Sequence, residues 1–131
     1  MSNPIKSESI IATKAYAFAL EIIILYKYLV NEKKEYVLSK QLLRSGTSIG
    51  ANINEALSGQ SKRNFVHKLS ISLKEARETS YWLNLLKDSN YIQQAVFDNL
   101  HAKCTEIVKM LSSIILTTKE KYFTPKSNRN P

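Results

Sequence analysis

The amino-acid sequence predicts an all-α protein, an antiparallel up-down bundle of four helices in one domain. Three observations carry this expectation. The three prolines stand at Pro4, Pro125 and Pro131, so nothing between Ile5 and Thr124 removes a backbone donor or breaks a helix. Apolar residues recur at three- and four-residue steps through most of the chain, the period of a helix face, while strand-type alternation with turn glycines is absent. The polar stretches between these runs are short, which places successive helices side by side and antiparallel. A chain of 131 residues suits one core rather than two. The domain is assigned to 1–124, and the polar, basic tail 125–131 is expected to be disordered.

The first helix is predicted over about 8–30, capped by Ser7 or Ser9, with Ile11, Ala15, Phe18, Ile22, Leu25 and Leu29 on its core line. Ile10, Ala19, Ile23, Ile24 and Tyr26 fill other sides. A helix apolar over more than one face lies in the centre of a bundle or packs on a second subunit. Its most apolar window, Ala15 to Val30, is interrupted by Glu21 and Lys27 and falls short of the roughly 20 apolar residues a membrane span requires. It therefore reads as a buried helix. Asn31 to Glu35, charged and without a core residue, forms the first connection.

The second helix, about 36–57, contains Arg44-Ser-Gly-Thr-Ser-Ile-Gly-Ala-Asn-Ile-Asn-Glu-Ala56. Ordinary surface helices avoid this mixture, because an interior Gly costs roughly 1 kcal/mol relative to Ala. Gln41, Ser45, Ser48, Asn52 and Glu55 form a polar stripe beside the apolar stripe Leu38, Leu42, Ile49, Ile53 and Ala56. A mostly buried helix packed on several sides is expected, with glycines admitting a close neighbour. Ser48, Asn52 and Glu55 are read as a structural polar signature, hydrogen-bonded across the bundle to Arg44, Arg77 or Tyr81.

Gly59 stops this helix and Ser61 caps the next, about 62–87, whose core line is Phe65, Leu69, Leu73, Ala76, Leu83 and Leu86. Asp88-Ser89-Asn90 ends it. The fourth helix, about 93–121, places Val96, Leu100, Cys104, Ile107, Leu111 and Ile114 on its core line.

The formal net charge of +8 favours polyanionic partners such as nucleic acid. On the third helix Arg63, His67, Ser70, Lys74, Arg77 and Tyr81 recur at steps of three and four, and so line one face over roughly 27 Å. Cations in a row with a terminal Tyr suit several phosphates and a stacked base. The candidate nucleic-acid-binding residues are Arg63, His67, Lys74 and Arg77, with Lys62 and Lys68. The competing reading is a solvated face whose cations pair with Glu55, Glu75 or Glu78.

Other chemistry finds little support. Glu21, Glu55, Glu75, Glu78 and Glu106 put a carboxylate on every helix, as two-metal bundles do, but neither His67 nor His101 stands three residues after a Glu. No metal or cofactor is assigned. Ser48, Asn52 and Glu55 have no base among them, and Cys104 lies on a core line where a thiol is inert, so no enzyme is expected. A lone cysteine excludes an internal disulfide and suits a reducing cytoplasm, and neither a secretory signal nor a membrane partner is expected. Tyr81, Trp82 and Tyr91 group at one bundle end as core packing or as a protein interface.

The run from Ser39 to Ala56, with Gln60 to Thr79 and Tyr81-Trp-Leu83, resembles the second and third helices of the bacterial four-helix-bundle proteins related to the ribosomal-RNA intervening-sequence proteins. The likeness extends from the first helix to Lys121. It implies an antiparallel bundle assembled as a ring-shaped homopentamer. One branch of the family is encoded within insertions in the large ribosomal RNA gene. A similar branch comprises the accessory proteins of diversity-generating retroelements, which bind a reverse transcriptase and nucleic acid through basic surfaces. The implied function is thus a non-enzymatic oligomeric scaffold for RNA or DNA, and the alternative a protein-interaction adaptor. Ser48, Asn52 and Glu55 match the family's polar signature, whereas Asn64 replaces the acidic residue common there, so no salt bridge is carried over to it.

Overall fold

Four helices account for nearly all of the described residues, 6–124, of this computed structural model: α1 (Lys6–Asn31), α2 (Leu38–Leu57), α3 (Lys62–Asp88) and α4 (Gln94–Tyr122). The expected tail 125–131 lies outside the described residues. Each helix packs on the next, and α1 also packs on α4, so the four surround a common core. Partners descend along one helix as they ascend along its neighbour. Between α2 and α3, Ser45 meets Thr79, Ile49 meets Ser72 and Glu55 meets Lys68. Between α1 and α4, Lys14 pairs with Glu106 at 3.3 Å and Glu21 with Lys103 at 2.6 Å.

All six residues of the predicted α1 core line are buried, as expected from their spacing. The rest of α1 differs from the expectation of a buried helix. Ile10, Tyr16, Leu20, Ile24 and Tyr28 are exposed, because α2 and α4 pack on α1 from one side and cover only the inner stripe. By length and composition the stretch Ser7–Asn31 of α1 is long and apolar enough to cross a membrane. Here its inner stripe is bundle core, and Lys14 and Glu21 tie it to α4. On α4, Val96 is exposed and Phe97 is buried in its place, one position along from the predicted line.

The first connection also departs from the expected reading. Glu35 is buried and caps α2, where Val37 offers no side-chain cap. Its carboxylate accepts the backbone N–H groups of Val37 at 3.1 Å, Leu38 at 2.9 Å and Ser39 at 2.6 Å. Burial pushes this carboxyl up, but the N–H bonds from Leu38, Ser39 and Val37 outweigh it and hold it below its ordinary value. Ser61 caps α3 as predicted, accepting the Asn64 N–H at 3.0 Å. After α3, Asn90 takes a left-handed φ of 66° and Tyr91 N–H closes on Leu86 O at 2.9 Å.

The glycines of α2 face α1. A Cβ on Gly46 would lie 2.9 Å from both Cγ atoms of Ile22, and one on Gly50 would lie 3.6 Å from the Ala15 Cβ. Close approach of α1 is therefore the reason for the unusual composition, as the sequence suggested.

Candidate nucleic-acid interface

Two sides of α3 are committed to packing. Phe65, Leu69, Ala76, Leu83 and Leu86 enter the core. Toward α2, Ser72 Oγ donates to Ile49 O at 2.8 Å, and the buried Thr79 hydroxyl bonds Ser45 Oγ at 2.9 Å. This leaves Arg63, His67, Ser70, Lys74, Arg77 and Tyr81 as an outer ridge, and all six are exposed.

The acids of α3 do not neutralise that ridge. Glu75 and Glu78 turn toward α2, where both pair with Arg44, the first at 3.1 Å. Glu78 also accepts the Trp82 indole N–H at 3.0 Å. Glu55 pairs with Lys68 at 2.7 Å, which takes Lys68 away from the predicted site and onto the α2 seam. Among the described residues, Arg63, His67, Lys74 and Arg77 make no ion pair. The solvated-face reading holds for Lys68 with Glu55, while Glu75 and Glu78 pair with Arg44 of α2 instead of with the ridge.

Lys62 leads to a feature the sequence reading missed. Its Nζ lies 4.8 Å from the Tyr122 ring centroid and 5.7 Å from that of Phe65, joining the start of α3 to the end of α4. Lys119 and Lys121 stand in the last turn of α4, with Lys121 Nζ 5.4 Å from the Tyr122 centroid. Tyr122 and Phe123 are each 44% exposed. The signal was present as Lys119 and Lys121 just ahead of Tyr122 and Phe123, but it stood where the helix was taken to give way to a polar tail.

The α2 signature behaves differently from expectation. Ser48 Oγ donates to Arg44 O at 2.7 Å and Asn52 Nδ2 to Ser48 O at 2.9 Å, both within α2. Short polar side chains in a helix reach the carbonyl four residues back more easily than a neighbouring helix. Only Glu55 crosses to α3, through the Lys68 pair, and none of the three reaches Arg77 or Tyr81. Burial of the segment is partial: Ser45, Gly46, Ile49, Ile53 and Ala56 are buried, while Arg44, Ala51, Asn54 and Glu55 are exposed. Cys104 is buried, its thiol pushed up to about 12 by burial, and Sγ donates to Ala76 O at 3.1 Å. At the aromatic end of α3, Tyr81 and Trp82 meet edge to face, with centroids 5.1 Å apart.

The helical order and these seams can be set against known proteins. The sequence profile described as 23S rRNA-intervening sequence protein matches residues 7–113. The chain belongs to that family. A solved relative is a crystal structure of a protein of unknown function from the S23 ribosomal protein family of Bacteroides thetaiotaomicron VPI-5482. It is 52% identical, with a TM-score of 0.83, and the alignment covers 84% of this chain and 98% of that one. No curated protein matches the sequence. The match to the intervening-sequence family stops at Ser113, short of the Lys121 limit drawn from the motifs. It therefore includes the α3 ridge but not Lys119, Lys121, Tyr122 or Phe123.

Proposed function

We propose that this intervening-sequence family member is a non-enzymatic, self-associating scaffold that binds RNA or DNA through the outer ridge of α3. The carrying observation is the ridge of exposed cations with no ion pair among the described residues, beside acids that are engaged with Arg44. Arg63, Lys74 and Arg77 donate to phosphates, with Lys62 and His67 alongside. Binding is then backbone-directed and weakens steeply with salt through counterion release.

Self-association rests on the outer face of α1. Ile10, Tyr16, Leu20, Ile24 and Tyr28, with Val96 of α4, are exposed together on a chain of net charge +8. Contiguous exposed apolar surface of this kind marks an interface. An antiparallel up-down bundle, supported by the opposed residue pairings, would use that face in a homo-oligomer, with the family resemblance favouring a pentameric ring. Repeating one basic ridge around a ring raises affinity through effective concentration. The single buried Cys104 suits a reducing cytoplasm.

The test is fluorescence anisotropy with labelled RNA and DNA at low salt. Arg63→Glu with Arg77→Glu is expected to lose most binding to both. Binding that is absent at low salt, or unchanged in that variant, overturns the proposal. A monomer mass by light scattering at micromolar concentration overturns the ring.

One observation favours a second reading, a protein-interaction adaptor such as an accessory subunit of a reverse transcriptase. An open groove of about 630 Å³ lies between α1 and α4, lined by Ile24, Leu25, Tyr28, Ile92, Val96 and Leu100. A protein partner retained from nuclease-treated lysate, and lost on substitution of the groove residue Ala95→Glu without loss of self-association, would select this reading.

A further inference from the structure

We infer that the nucleic acid taken by this surface is single-stranded, held along the α3 ridge between two aromatic ends, Tyr81 at one and Tyr122 with Phe123 at the other. The inference rests on the nucleic-acid reading above and adds the class of ligand.

The first argument is shape. A DNA major groove about 12 Å wide admits one free helix, and the deep groove of an RNA duplex is narrower still. The α3 ridge is not a free helix. It packs on α2 along one side and α4 along the other, and helices in such contact lie about 8–10 Å apart, so its flanking neighbours limit how deeply the ridge enters either groove. A duplex resting on the ridge touches it only where a curved backbone crosses a straight line of cations. A single strand can follow that line from Arg63 to Tyr81, roughly 27 Å at the rise of a helix. At the stacked spacing of about 3.4 Å this length matches about eight nucleotides, and fewer when the strand is extended.

The second argument is chemical. Tyr81 is 57% exposed, and its ring meets Trp82 edge to face rather than stacked. At the other end Tyr122 and Phe123 are each 44% exposed, with Lys62 and Lys121 against the Tyr122 ring and Lys119 one turn back. Lysines near a helix C-terminus complement its dipole, which accounts for the charges but not for two exposed rings beside them. Cations that track a backbone, bounded by aromatic faces, form the common arrangement of single-strand sites, because every base offers a face to stack. Unpaired bases are free to stack in this way and paired ones are not.

The experiment compares labelled ten-nucleotide oligo(U) and oligo(dT) with ten-base-pair RNA and DNA duplexes, by anisotropy on the full chain at low salt. Single strands are expected to bind at least tenfold tighter than duplexes, and the two single-strand arms show whether RNA or DNA is preferred. Tyr81→Ala, and Tyr122→Ala with Phe123→Ala, are expected to weaken single-strand binding by roughly five- to a hundred-fold. Duplex binding should change less than twofold. Leucine at the same positions keeps apolar bulk without a ring and should weaken binding equally, which separates stacking from packing; thermal melting confirms the fold. Duplexes binding as tightly as single strands, or aromatic variants binding oligo(U) and oligo(dT) normally, overturn the single-strand inference. If Arg63→Glu with Arg77→Glu still abolishes binding in that case, the phosphate reading stands alone. Binding unaffected by those charge reversals overturns both.

Discussion

The same substitution, Gly to Ala, is expected to have opposite effects at two positions one turn apart on α2. In a helix interior the change stabilises by about 1 kcal/mol through backbone entropy, provided the new methyl group fits. At Gly50 it fits: the added Cβ meets Ala15 at 3.6 Å, ordinary contact. Gly50→Ala should therefore gain about 1 kcal/mol. At Gly46 the Cβ would sit 2.9 Å from Cγ1 and Cγ2 of Ile22 and 3.3 Å from its Cβ. Ile22 is fully buried and β-branched, so the clashing atoms cannot swing aside without moving α1. Overpacking of this kind costs about 1–3 kcal/mol, which exceeds the propensity gain and leaves a net loss of about 1 kcal/mol. The two variants should thus differ by about 2 kcal/mol, which is several degrees in Tm for a domain of this size. Urea denaturation followed by circular dichroism at 222 nm measures both. In an Ile22→Ala background, where the opposing atoms are removed, Gly46→Ala should become neutral or stabilising. Equal stability of Gly46→Ala and Gly50→Ala, or no change of sign with Ile22→Ala, would refute the claim that close packing of α1 selects glycine at 46.

Three further outcomes follow from the same geometry. Glu35→Gln should destabilise by about 1–2 kcal/mol at pH 7, since Glu35 caps three N–H groups at the start of α2. Because its folded-state value is lowered, the ionic contribution is complete above the ordinary value of 4.5 and is lost as pH falls through the folded value. The gap between wild type and Glu35→Gln in urea midpoint should accordingly shrink toward pH 3, and a pH-independent gap would show that charge is not involved. Arg44→Ala should cost less than about 1 kcal/mol of stability. It should nevertheless weaken nucleic-acid binding several-fold at low salt, because it leaves Glu75 and Glu78 unneutralised beside Lys74 and Arg77; an unchanged Kd would remove the acids from the electrostatics of the ridge. Cys104, with its thiol pushed up to about 12, should resist a thiol reagent at pH 8 in the folded protein and react fully in denaturant.

The parts of the fold legible in the sequence are those set by periodicity against one deep core. On α1 the inner stripe is unambiguous because Ile11 through Leu29 keeps the helical step without a break. Val96 and Phe97 show where this fails. Adjacent residues lie about 100° apart on a helix, both are apolar, and only the position of α1 decides which one faces the groove and which the core. Glu35 was unreadable for a different reason. A charged residue in a polar run looks solvated until the chain turns so that three amides of α2 point at its carboxylate. The pairing of Arg44 with Glu75 joins residues 31 apart, so local spacing on either helix carries no trace of it.

That long-range pairing ties the unusual α2 segment to the proposed interface. One side of the segment is stripped to glycine so that α1 can approach, and the opposite side carries Arg44, Ser45 and Glu55 toward α3. Arg44 draws Glu75 and Glu78 inward, while Glu55 draws in only Lys68. Three acids and two cations near this seam are thereby paired with one another, leaving a single net negative charge there, while Lys62, Arg63, Lys74 and Arg77 of α3 face solvent. The charge of the ridge is therefore a property of the α2–α3 seam rather than of α3 alone. Were the two helices to pack one turn out of register, a shift of about 5.4 Å would draw Arg44 away from one of its two acids. The freed carboxylate would then lie within a Debye length of about 10 Å of the ridge and weaken its field. The buried Ser45–Thr79 and Ser72–Ile49 bonds hold the register against that shift, since breaking them would strand polar groups in the core. The segment supplies no donor to the ridge, yet the register it sets governs how strongly basic a line α3 presents.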